Sequence, residues 1–210
     1  MIGVIDLGIS NIGSVLRAFQ RLGSPPALLR DAQAVAGAQA IVLPGVGAFG
    51  DGMATLRAQG MVDPLREAAR AGTPILGFCL GMQLLADGSD EYGDHEGLGL
   101  IPGRVVRLKP APGERVPNIG WCDVVPRDGA RLFQDVREGT PFYFVHSYHL
   151  HCADPGHVAA TIAFGSGAVT VAVEHRNIFG LQCHPEKSQD PGLAVLDAFL
   201  SLAGERSRHE

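Results

Sequence analysis

The sequence has 210 residues, 46% hydrophobic and 19% charged, with 17 Lys and Arg against 22 Asp and Glu for a formal net charge of -5. That length builds a core without disulfide or metal staples, the apolar share excludes a disordered chain, and the mild negative charge speaks against a nucleic-acid binder, which is usually basic. No apolar run approaches the ~18 residues that span a bilayer, and the opening Met1-Ile2-Gly3-Val4-Ile5-Asp6 lacks the basic-then-apolar layout of a signal peptide, so a cytoplasmic protein is expected.

Residues 2–6 read as a buried strand, and 11–22 as a helix with its apolar stripe at Ile12, Val15, Leu16, Phe19 and Leu22. Residues 27–30 and 40–43 predict two more strands, the second ended by Pro44. Residues 51–71 predict one or two helices, with Pro64 suited to an early helical position. Residues 73–78 form a fourth strand, followed at once by a helix over 80–86. This alternation implies βαβ units and a parallel sheet. From about Gly97 turn signals multiply. Residues 100–108, 141–145, 158–164, 169–174 and 178–183 read as strands, with a hairpin turn at Arg176-Asn177 and a closing amphipathic helix over 191–202. The expected fold is α/β, a mainly parallel sheet flanked by helices and extended by antiparallel strands. It forms one domain over 1–203 with a polar tail over 204–210.

The strongest local signal is Gly77-Phe78-Cys79-Leu80-Gly81, which has the form of a nucleophile elbow with Cys in place of Ser. A nucleophile on a sharp strand-to-helix turn needs neighbours without Cβ, and the helix start favours a thiolate. The N–H of Leu80 could face a developing oxyanion. Taken alone, the pattern also fits a buried structural cysteine.

A thiol nucleophile needs a base, and Gln182-Cys183-His184-Pro185-Glu186 offers one. In an extended segment the side chains of His184 and Glu186 point the same way, and Pro185 biases His184 to extended geometry. Glu186 could then hold one imidazole nitrogen and leave the other aimed at Cys79, the nucleophile–base–orienter logic of a triad. The plainer reading is a loop histidine capped by a nearby glutamate.

Gly45-x-Gly47-x-x-Gly50 matches a dinucleotide fingerprint after a strand. It follows the third strand rather than the first, and no acidic strand-end residue sits at the required distance. A glycine loop beside an elbow could instead present the N–H of Val46 to an oxyanion. His149, His151 and Cys152 invite a metal reading, but no second ligand cluster has zinc spacing, so a polar strand end is preferred. Trp121, the only tryptophan, reads as a core or rim aromatic, or as an interface anchor if exposed. The cysteines 79, 122, 152 and 183 are too widely spaced for a CxxC pair and are expected to be free.

At this point the residues resemble a family. The motifs are Val4-Ile5-Asp6 with Gly8 and Asn11, Leu43-Pro44-Gly45-Val46-Gly47-Ala48-Phe49, Gly77-Phe78-Cys79-Leu80-Gly81-Met82-Gln83 and Gly97-Leu98-Gly99-Leu100-Ile101. Gly120-Trp121, Val145-His146-Ser147-Tyr148 and His184-Pro185-Glu186-Lys187-Ser188 complete the set. Together they resemble class I glutamine amidotransferases, most closely the glutaminase subunits of imidazole glycerol phosphate synthases. The resemblance implies a flavodoxin-like fold and a triad of Cys79, His184 and Glu186. It implies an oxyanion hole from Val46, Gly47 and Leu80, and glutamine held by Gly45, Gly47, Gln83, Ser147 and Tyr148 with His146 close by. It also implies hydrolysis of glutamine through a Cys thioester, without cofactor or metal. Ammonia would pass through a channel to a partner cyclase subunit, a (β/α)8 barrel in a heterodimer, which turns the formimino ribonucleotide PRFAR into imidazole glycerol phosphate and AICAR in histidine biosynthesis. Asn11, Trp121 and Lys187 stand at positions expected to face that partner.

The sequence departs from the family pattern at Leu7, Phe78, Asn118, Cys122 and Cys183. Two other readings compete with the resemblance. One is the amidase subunit of a pyridoxal phosphate or anthranilate synthase, which the 45–49 loop and Gly81-Met82-Gln83 argue against. The other is a redox-sensing or chaperone-like protein, which needs Cys79 but not the His184 and Glu186 pair.

Overall fold

The computed structural model describes residues 1–8 and 11–204. The first half of the chain follows the expected alternation: β1 Ile2–Ile5, α1 Ile12–Arg21, β2 Ala27–Leu29, α2 Ala32–Ala36, β3 Ala40–Gly45, α3 Phe49–Ala58, α4 Val62–Arg70, β4 Ile75–Cys79 and α5 Leu80–Leu84. Strands dominate thereafter: β5 Ala86–Ser89, β6 His95–Glu96, β7 Ile101–Arg107, β8 Asn118–Pro126, β9 Thr140–His146, β10 Tyr148–Cys152, β11 Val158–Phe164, β12 Gly167–His175 and β13 Ile178–Leu181. The helix α6, Gln189–Leu202, follows them. No helix among the described residues is long and apolar enough to cross a membrane.

Nine strands form one sheet in the order β2-β1-β3-β4-β13-β12-β11-β8-β9. The first five pair in parallel, and the rest add on as antiparallel strands, the arrangement the sequence predicts, with β8 as a strand it does not mark. A second sheet, β10-β7-β5-β6, was not expected. Its short strands β5 and β6 pair Gly88 with Glu96 and Ser89 with His95 and show too little apolar alternation to be read from sequence.

Three further expectations are corrected. Pro44 does not end β3, which runs on to Gly45. The N–H of Ile41 points to Pro74 on the β4 side, so the missing donor of Pro44 faces β1, beyond the last β1–β3 pair at Val4 and Val42. The helix after the elbow stops at Leu84, because Ala86 enters β5 beside Ile101. The helix α2 was not expected. It is one of the shortest here and starts where Asp31 Oδ1 accepts from Ala34 N at 2.8 Å. The predicted tail lies outside the described residues from 205 onward.

Side-chain alternation ties the sheet to its two apolar cores. On β9, Phe142 and Phe144 are buried while Tyr143 and Val145 face the other way. The parallel strands β1, β3 and β4 are buried on both faces, as a sheet covered by helices requires. The elbow glycines are set by sterics. A Cβ on Gly77 would lie 2.5 Å from Gly81 O, and one on Gly81 would lie 1.7 Å from Leu43 O. We therefore expect Gly81→Ala to lower the unfolding free energy by about 3 kcal/mol or more, read as a shift of the urea midpoint; a change within about 0.5 kcal/mol would show that the turn has room to yield.

Candidate active site

Register brings the motifs together. Gly45 pairs with Cys79 across β3 and β4, and Leu181 pairs with Phe78 across β13 and β4. The three strands therefore end side by side, and the residues that follow each end meet at one edge of the sheet. This is where open α/β sheets bind ligands.

Cys79 turns the chain from β4 into α5 with φ 49° and ψ -110°. A residue with a Cβ adopts such angles only when its surroundings enforce them, and the close-packed Gly77 and Gly81 do so here. The sulfur lies 3.9 Å from Val145 O and 3.8 Å from Gln182 Nε2.

His184 and Glu186 form the pair read from the sequence, with His184 Nδ1 at 2.9 Å from Glu186 Oε1. The assumed backbone is corrected. Only His184 is extended, at φ -99° and ψ 92°, and residues Pro185–Lys187 form a single 3-10 turn. That turn, not an extended i and i+2 register, brings Glu186 back to the imidazole. Ser188 locks the arrangement: its hydroxyl donates to His184 O at 2.7 Å and accepts from Tyr143 N at 3.0 Å. Burial pulls the His184 imidazolium down, but the neighbouring Cys79 and Glu186 outweigh it and raise its pKa to about 9. At neutral pH His184 is charged and hydrogen-bonded to Glu186.

A cavity of about 310 Å³ opens over the sulfur, at the small end of ligand pockets. Val46, Gly47, Leu80, Gln83, His146, Ser147, Tyr148 and His184 all line it with Cys79. Gly45 does not; it stands behind the wall, where an added Cβ would press on Leu80 and Gly81. Gly47 has φ 105°, a conformation open to glycine, so the loop turns there.

Several lining residues are fixed by hydrogen bonds. Gln83 Nε2 donates to Tyr148 O at 3.2 Å and to Gln182 Oε1 at 3.1 Å. Both amide hydrogens are thus committed, and its Oε1 is left as an acceptor. His146 Nδ1 donates to Tyr148 O at 2.9 Å, so its Nε2 accepts from Asn118 Nδ2 at 3.1 Å. Burial lowers the His146 pKa to about 4, and the ring is neutral at pH 7. It pins the bend at Ser147 and carries no proton to exchange there.

Two lining or supporting residues went unread in the sequence. Glu91 lines the cavity although it is 9% exposed, and its Oε2 accepts from Phe49 N at 2.7 Å. Its only signal was an acidic residue before the Tyr92-Gly93 turn. Gln182, fully buried, links Gln83 to Cys79. A polar residue at the end of the apolar 178–183 run was the available clue.

Of the residues expected to face a partner, Asn11 is exposed at the start of α1. Trp121 is 49% exposed, with its ring edge-on to Tyr143 at 5.8 Å. Lys187 Nζ lies 5.8 Å from the centre of the same Tyr143 ring.

A strand-turn-helix elbow bearing a cysteine, a histidine held by a glutamate, and a glycine loop on the neighbouring strand define a class I glutamine amidotransferase, and the profile of the family "Glutamine amidotransferase class-I" matches residues 3–201. The chain belongs to that family. Within it, the chain is 46% identical over 209 residues to the imidazole glycerol phosphate synthase subunit HisH of Moorella thermoacetica, covering 99% of this chain and 96% of that one. It is 43% identical over 202 residues to the HisH subunit of Sulfurimonas denitrificans, covering 95% and 97%. Among solved structures, a glutamine amidotransferase superposes with a TM-score of 0.76 at 23% identity, over 97% of this chain and 98% of that one. PurLQS from Thermotoga maritima gives 0.74 at 19% identity, over 96% and 97%; both share the fold.

Proposed function

We propose that the chain is the glutaminase subunit of an imidazole glycerol phosphate synthase, and that Cys79, His184 and Glu186 carry its chemistry. The observation that supports this best is the convergence of an elbow cysteine with a buried, charged His184 held 2.9 Å from Glu186. The Cys79 thiolate attacks the side-chain carbonyl carbon of glutamine. The negative charge that develops on oxygen falls near Leu80 and the Val46-Gly47 loop, which share the cavity with the sulfur. The His184 imidazolium gives its proton to the departing nitrogen, ammonia leaves, and a γ-glutamyl thioester forms. His184, now neutral, takes a proton from water, the hydroxide oxygen displaces sulfur, and glutamate is released with the thiolate and imidazolium restored.

Binding follows from the remaining wall. Glu91 offers a carboxylate to the α-ammonium of glutamine, and Gln83 Oε1 offers an acceptor to its N–H groups. Ser147 and Tyr148 close the far side. The neutral His146 holds that side in place.

The docking face for the cyclase subunit centres on β8, where Ile119 and Trp121 are 61% and 49% exposed. Lys187 lies against the Tyr143 ring that also supports Trp121, and Asn11 lines a small pocket together with Lys187. Burying such an aromatic anchor is typical of interface hot spots.

The test is synthesis of imidazole glycerol phosphate from PRFAR by a cyclase subunit with either glutamine or ammonia as nitrogen source. The expected result is that the cyclase alone uses only ammonia and that adding this chain confers use of glutamine. A cyclase that stays blind to glutamine in its presence would refute the subunit assignment.

A further inference from the structure

We propose that Arg104 is a positioning residue for glutamine, because its guanidinium clamps the 90–94 loop and so holds Glu91 at the cavity wall. The inference rests on the reading of that cavity as the glutamine site. Arg104 lies on β7, and its Nε and Nη2 donate to Asp90 Oδ1 at 3.0 and 2.5 Å. Nη2 also donates to Asp94 Oδ1 at 2.6 Å. One side chain therefore ties both ends of a five-residue loop whose inward member is Glu91.

The loop needs an outside tie. Tyr92 and Gly93 have φ 55° and 147°, and a left-handed tyrosine is costly without a scaffold. Tyr92 is 87% exposed and contributes little packing. The remaining anchors are short: Asp90 N to Val105 O at 3.1 Å and Glu91 N to Ser89 Oγ at 3.1 Å. Gly88 leaves room for the clamp, since a Cβ there would lie 3.1 Å from Arg104 Nη1 and 2.5 Å from His95 O.

The inner side of the loop, with the adjoining His95, meets Phe49, which follows the 46–47 turn of the site. Glu91 Oε2 accepts from Phe49 N at 2.7 Å, the first residue of α3, two positions beyond Gly47. The His95 ring lies 6.4 Å from the Phe49 ring. Displacement of the loop would move the Glu91 carboxylate and loosen the helix start that follows the 46–47 turn. Arg104 itself does not line the cavity, so its effect falls on binding rather than on bond breaking. Arginine suits this task because its planar fork reaches two carboxylates, where a lysine ammonium is a point charge. The pairs are solvent-exposed, so salt screens them.

The test measures glutamate release by the chain in complex with its cyclase subunit. Arg104→Met is expected to raise the KM for glutamine about fivefold with kcat kept within about twofold. Arg104→Lys should fall between it and the unaltered chain, and ammonia-dependent synthesis should not change. High ionic strength should raise the KM of the unaltered chain towards that of Arg104→Met and move the variant's less. Glu91→Gln should raise KM about tenfold or more, and adding Arg104→Met to it should cost nothing further. Unchanged KM in both Arg104 variants, with Glu91→Gln impaired, would overturn the clamp. A parallel fall in kcat and melting temperature would mark Arg104 as merely structural and overturn it equally. Unchanged KM in Glu91→Gln would refute instead the reading of Glu91 as part of the glutamine site.

Discussion

Cys79→Ala is expected to lower glutamate release by about 10⁴-fold or more while leaving the melting temperature nearly unchanged. Loss of the sulfur removes the only covalent route from glutamine to the thioester. No neighbouring group can take its place, since His184 is committed to Glu186 and His146 is neutral and bonded at both ring nitrogens. The sulfur makes only long contacts, to Val145 O and Gln182 Nε2, so the fold loses about 1 kcal/mol at most. Alanine keeps the Cβ and with it the backbone demand at φ 49°. Ammonia-driven synthesis in the complex should persist, because it bypasses this site. Glutamate release by the variant at an appreciable rate would remove Cys79 from the mechanism.

Glu186→Gln is expected to give the second largest effect, a fall in kcat/KM of about 10²- to 10⁴-fold. Glutamine can still present an oxygen to His184 Nδ1, so the change isolates the charge rather than the contact. Glu186 Oε2 is buried without a hydrogen-bond partner among the described residues, and the amide of the variant would leave a donor stranded there. The pH dependence gives the sharper signature. Burial pulls His184 down, and Cys79 and Glu186 together raise it to about 9. The alkaline limb of kcat/KM should therefore lie near pH 9 and move to lower pH in Glu186→Gln. Stability carries the same sign. A histidine raised above its ordinary 6.5 contributes fully below that pH, and the contribution fades as pH climbs towards 9. Unfolding free energy should decline over that window less steeply in the variant. An unmoved alkaline limb would show that Glu186 does not set the charge on His184.

The legible part of the molecule was the part written in local pattern. The strands around residues 2–6, 73–78 and 158–164 and the helix at 11–22 carry strong apolar periodicity, and each is found within a residue or two at most ends. The elbow was legible because Gly77 and Gly81 are required by contacts within one turn and with the next strand. The His184 and Glu186 pairing was read correctly although its backbone was not. A proline between them fits an extended segment and a 3-10 turn alike, and only the hydrogen bonds of Ser188 select the turn. The second sheet was missed because β5 and β6 are short and rich in Gly, Asp and His. Pro44 was misplaced because a strand proline is harmless when its missing donor points past the neighbouring strand, a fact of register.

The sequence alone determined the alternating α/β plan, the cysteine-bearing turn and the pairing of His184 with Glu186, since each depends on neighbours a few positions away. The tertiary structure decided which distant residues meet. Pairing of β4 with β3 and β13 brings Gly47 and His184, about 32 and 105 positions from Cys79, into one cavity wall. It likewise buried Glu91, an unremarked loop acid, against the start of a helix 42 residues earlier, and stood Gly45 behind the wall it was expected to line. Local propensity acts through the chain and leaves marks in the order of residues. Register and packing act through space, and the same order of residues is compatible with many of their outcomes until the sheet closes.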